Sequence, residues 1–140
     1  FTESQLNIMA GAGTYIVTQN ASDGQLFARH QVSTDNTSLE LSELSITKNL
    51  DSISFSMRAA LLPFIGIWNV TQDALDAIKI TVLGVIVEKK NNFFNKIGPQ
   101  LIDATINSVV ADPLFKDHVN VDVDLILPPP LNVINIKLRV

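Results

Sequence analysis

Ile97-Gly98-Pro99-Gln100-Leu101-Ile102-Asp103-Ala104-Thr105-Ile106-Asn107-Ser108-Val109-Val110-Ala111-Asp112-Pro113 is the stretch on which the fold turns. Its spacing is helical. Ile102, Ile106, Val109 and Val110 fall at i, i+4, i+7 and i+8, and Leu101 and Ala104 widen the stripe. Pro99 suits a first helical turn, where its missing N–H costs nothing. Asp103 near the start complements the helix dipole. Asp112-Pro113 suits a stop, because proline pushes its predecessor out of the helical region. The spacing predicts a helix that includes Leu101 to Val110, with Phe93, Phe94 and Ile97 stapling it to a sheet. Leu114 to His118 has room for at most one further short helix.

Outward from this stretch the apolar residues alternate, which predicts strands. Leu26, Ala28, His30 and Val32 share one face, and Leu39, Leu41, Leu44 and Ile46 make a short run. Ile53, Phe55, Met57, Ala59 and Leu61 alternate with Ser52, Ser54, Ser56 and Arg58. Ile78, Ile80 and Val82 continue to Val85 and Val87 past Gly84, read as a bulge where the parity switches. Val119, Val121, Val123, Leu125 and Leu127 alternate with Asn120, Asp122 and Asp124, and Ile134, Ile136, Leu138 and Val140 with Asn135, Lys137 and Arg139. The expected fold class is α+β: a long, highly curved antiparallel sheet around one long amphipathic helix, as a single domain over residues 1–140.

Composition limits the partners. Hydrophobic residues make up 46% of the chain and charged residues 17%, and the mean hydropathy is +0.26. Few charges are left to cover the outside, so the chain either packs its surface against something or holds an apolar cavity. A net charge of −4 and scattered basic residues, with Lys89-Lys90 the closest pair, argue against nucleic acid. No cysteine is present, which excludes disulfides and thiolate metal sites. Ala59 to Trp68 is too short for a membrane span and contains Pro63 and Gly66.

Three glycosylation acceptor patterns, Asn20-Ala21-Ser22, Asn36-Thr37-Ser38 and Asn69-Val70-Thr71, lean towards a secreted, extracellular glycoprotein. The opening Phe1-Thr2-Glu3 reads as a processed chain or a fragment of a longer precursor.

Motifs for catalysis are missing from the sequence. It has no Gly-x-Ser-x-Gly elbow, no His-Glu-x-x-His and no glycine-rich phosphate loop. His30 lies in an alternating run, and Asp117-His118 reads as surface loop. Asp122 and Asp124 read as a solvated strand face rather than the seed of a calcium site. No residue receives a catalytic role, and neither a cofactor nor a metal is expected.

The apolar run Ala60-Leu61-Leu62-Pro63-Phe64-Ile65-Gly66-Ile67-Trp68 is greasy on both faces, and reads either as a buried strand or as a cavity wall. The second half resembles the C-terminal barrel of the bactericidal/permeability-increasing protein family, with its tubular lipid-binding fold. The resemblance rests on the order of elements: Leu75 to Val87, a polar break, Ile97 to Val110 as helix, Val119 to Leu127, Pro128-Pro129-Pro130, and Leu131 to Val140. It implies acyl chains held between helix and sheet by Leu61, Phe64, Ile67, Trp68, Leu101, Ile102, Thr105, Ile106 and Val109. At about 0.8 kcal/mol per buried CH₂, such a chain needs no charged anchor. A second copy, or a partner chain from the same precursor, would complete the barrel. The alternative is a structural, storage or surface-active protein whose apolar faces pack subunits together.

Overall fold

The computed structural model describes residues 1–91, 98–130, 136–137 and 139, and the chain divides into two compact units, residues 1–48 with 129–140, and residues 49–128. In the first unit α1 (Glu3–Gly11) starts at a capping box. The Gln5 N–H donates to Thr2 Oγ1 at 3.3 Å and the Thr2 N–H to Gln5 Oε1 at 2.9 Å. Two short strands follow, β1 (Ile16–Gln19) and β2 (Leu26–His30), paired antiparallel. Gly24, at φ +70°, turns the chain between them. Arg29 ties β2 to α1 through Glu3 and Asn7. A short α2 (Leu39–Ser42) leads into α3 (Leu44–Leu61), an 18-residue helix that continues into the second unit.

The second unit carries the site. A 3₁₀ turn, Leu62–Phe64, closes α3 at Pro63. Then α4 (Gln72–Lys90) begins at Thr71, whose Oγ1 accepts from the Ala74 N–H at 3.3 Å, and ends in Lys89 and Lys90. Finally β3 (Asp103–Ala111) and β4 (Val119–Ile126) form an antiparallel pair. Ile53 of α3, Ile78, Val82 and Ile86 of α4, and Leu101 ahead of β3 make the buried core. Ala104, Ile106 and Val109 of β3, with Val119, Val121, Val123 and Leu125 of β4, pack against it. The opposite sheet face presents Thr105, Asn107, Asn120, Asp122 and Asp124 to solvent.

The expected curved sheet around one long helix is not what the chain forms. Among the described residues it has three helices of nine residues or more and two separate two-stranded antiparallel sheets. The strand β4 lies where alternation places it, and β2 covers most of the Leu26 to Val32 run. Three long assignments reverse, two of them, 75–87 and 97–110, among the elements on which the family resemblance was drawn.

The stretch 101–110, read as a helix, contains β3. A bulge between Ile106 and Ser108 adds one residue to β3 relative to β4. Ile106 opposite Val123 and Val109 opposite Val121 therefore face the same side although three residues apart, which imitates helical spacing. The expected stop, Asp112-Pro113, opens the β3–β4 turn, and Leu114 to His118 form that turn rather than a helix.

The runs read as strands at 53–61 and 75–87 are helical. Ile53, Met57 and Leu61 of the first sit at i, i+4 and i+8 and join the core, whereas Phe55 is 74% exposed. Every fourth residue belongs to both periods, so alternation alone does not separate them. In the second, Ala74, Ile78, Val82, Val85, Ile86 and Lys89 form the buried stripe, and Gly84 lies within α4 rather than at a bulge. The Leu39 to Ile46 run is helical as well. Phe93, Phe94 and Ile97, and most of the strand expected at 131–140, lie outside the described residues.

Candidate functional site

Two connections build one pocket. The first joins α3 to α4. Past Pro63 the Trp68 N–H reaches back to the Phe64 carbonyl at 3.2 Å, and Gly66, at φ +77°, makes the reversal. The turn brings the rings of Phe64 and Trp68 to 5.2 Å between centroids, inclined at 50°. It also leaves Ile65 and Ile67 exposed and Trp68 about half exposed.

The second connection is the β3–β4 turn. Asp112 organises it: Oδ1 accepts from the Leu114 N–H at 2.8 Å and the Phe115 N–H at 3.0 Å, and Oδ2 from the Asn120 amide at 2.8 Å. The Asn120 bond and the two backbone bonds hold the Asp112 carboxyl below its ordinary range. The Asp112 N–H closes the turn on the His118 carbonyl at 2.9 Å. Phe115 packs on the His118 ring at 5.0 Å between centroids.

Between these connections lies a partly open pocket of about 470 Å³. Leu61, Phe64, Ile65 and Trp68 form one wall, Ala74 and Ile78 of α4 the floor, and His118, Val119 and Val121 the facing wall. Polar groups enter at Asn69, Asp117 and Asn120, and the closest His118–Asp117 approach is 3.9 Å. An apolar pocket with few polar groups suits a hydrophobic group of drug size or a partner's side chain.

Of the residues expected to contact lipid, Leu61, Phe64 and Trp68 line this pocket, and Ile67 sits exposed on the same connection. The other five are not brought there. Leu101 is fully buried in the core, and Ile106 and Val109 fill the space between α4 and the sheet. Ile102 and Thr105 are exposed. Sequence reasoning missed Ile65, Val70, Ala74 and the β4 residues. Their signal was Thr71-Gln72-Asp73, a cap and first-turn acid that begin a helix at the pocket floor.

The three acceptor asparagines differ. Asn69 is exposed at the pocket edge. Asn36 is exposed, and its amide nitrogen donates to the Gly11 carbonyl at 2.9 Å. Asn20 is half-buried, and its Oδ1 accepts from the Ser22 N–H at 3.1 Å and the Ser22 hydroxyl at 3.0 Å.

Among the described residues, no group of three His, Cys, Asp or Glu side chains is placed to hold a metal ion, and no helix is long and apolar enough to cross a membrane. No family model matches the chain, and neither does any curated protein or solved structure.

Proposed function

We propose that this chain is a structural interaction module that packs against a protein partner through the Trp68 end of its second unit. The carrying observation is the exposed set Ile65, Ile67 and Trp68 beside the pocket. Apolar side chains grouped at the mouth of a concave site are the usual mark of an interaction surface, and Trp is the residue most often found at its energetic centre. The partner contributes an apolar side chain that fills the pocket.

Trp68 is the only tryptophan, so its fluorescence reads the site directly. When the protein partner binds, the Trp68 emission moves to shorter wavelength and acrylamide quenching falls, and Trp68→Ala weakens that binding. Unchanged quenching in the complex with that partner would refute this reading.

A second reading, in which the pocket holds a small apolar ligand or acyl chain, is favoured by its volume of about 470 Å³. Stoichiometric lipid in an organic extract of the purified protein, identified by mass spectrometry, would establish it in place of the first.

A further inference from the structure

The helix α4 is apolar on two opposite sides. One side is the core stripe. On the other, Ile80 is 69%, Leu83 45% and Val87 54% exposed. Together with exposed Asp76 and Lys90 they follow the spacing 4, 3, 4, 3 along about 21 Å of helix. That is the repeat of a helix–helix seam, in which each side chain enters a gap on a facing helix. Gly84 lies beside Leu83, and a Cβ added there would meet no atom within 4 Å, so a second backbone can approach closely.

We propose that the stripe Asp76–Ile80–Leu83–Val87–Lys90 pairs with the same stripe of a second copy of this chain, the two α4 helices running antiparallel. Charge selects both the occupant and the direction. The stripe is acidic at one end and basic at the other. An antiparallel copy sets Asp76 of each chain beside Lys90 of its partner, places Ile80 near Val87, and leaves Leu83 near the two-fold axis. A parallel copy would set like charges together at both ends, and it would align the helix dipoles unfavourably. Asp76 now accepts a bond from Gln72 at 3.1 Å, and Lys90 binds Asp103 at 2.7 Å. Both are exposed contacts that can exchange or be shared.

This contact uses the side of α4 turned away from the pocket, so it stands or falls separately from Trp68. Three apolar side chains per chain make a small interface, so pairing is weak.

Sedimentation equilibrium of the full chain from about 10 μM to about 1 mM tests it. Wild type and Trp68→Ala shift from monomer to dimer over this range. Leu83→Glu and Leu83→Lys each stay monomeric, and their equimolar mixture dimerises. Asp76→Lys weakens pairing about tenfold, and adding Lys90→Asp restores it. Circular dichroism confirms that each variant is folded. A wild type that stays monomeric throughout overturns the proposal, as does a Leu83→Glu protein that still dimerises. So does a mixture that fails to pair, or a monomer that instead binds phosphatidylcholine or phosphatidylglycerol vesicles through this face.

Discussion

Asn120, near the start of β4, donates its side-chain amide to the Asp112 carboxylate at 2.8 Å, closing the β3–β4 turn from the side. Because the bond is stronger to the ionised carboxylate than to the neutral acid, the turn carries an acid-sensitive latch. Folding lowers the Asp112 pKa. The stability it contributes is complete above the ordinary aspartate value of about 3.9, and is lost as pH falls from there through the lower folded value. Asp103, held down first by Lys90, and Asp35, held down first by Thr37, act in the same direction. The acid limb of a pH–stability curve is therefore expected below about pH 4, shallower in Asp112→Asn than in wild type. An identical limb in the variant would remove Asp112 as a contributor.

Core truncation separates the solid interior from the pocket. Ile53 is fully buried. Ile53→Ala is expected to cost about 2–5 kcal/mol in urea unfolding, because contacts are lost and a void remains. Ile65→Ala, at an exposed rim position, is expected to change stability by no more than about 0.5 kcal/mol. Comparable losses at both sites would contradict this division.

The bulge makes an unusual deletion tolerable. Without Asn107, Ile106 and Val109 keep their inward direction and Ser108 takes the outward place, so the β3–β4 ladder becomes regular. The deletion is expected to melt close to wild type, within about 1 kcal/mol. Deleting Thr105 turns Ala104 and Ile106 to opposite faces and is expected to unfold the hairpin. Thermal melts of the two deletions decide the matter, and a fold lost in the first would count against the bulge.

The acceptor asparagines are expected to be used unequally in a secretory host. Asn69 is exposed beside the N-cap of α4, whereas the Asn36 amide is already committed to the Gly11 carbonyl. Glycopeptide mass spectrometry should find more sugar at Asn69 than at Asn36, and the reverse order would contradict this.

How much of this was legible in the sequence depends on the period. β4 was legible because Val119 to Leu125 alternates without interruption and its Asp and Asn residues have no other place. α4 was obscured by its own second apolar stripe: Ile80 and Val87 interleave with Ile78, Val82 and Val85, so a period of two appears where two helical periods overlap. Thr71 and the terminal lysines were the evidence against a strand, and they outweigh alternation in so long a run. In β3 the bulge at Asn107 erased the alternation, although Thr105, Ile106, Val109 and Val110 are β-branched and favour a strand. At the site, the apolar run through Trp68 was visible, but its partners on β4 lie about 50 residues away and become neighbours only through folding.

The acidic sheet face bears on solubility. Asp122 and Asp124 point outward from alternate positions of β4, both exposed. Two such faces cannot stack without bringing carboxylates together, so the hairpin discourages lamellar aggregation of its own kind. Neutralising the pair, as Asp122→Asn with Asp124→Asn, would remove that brake and lower the concentration at which the protein precipitates.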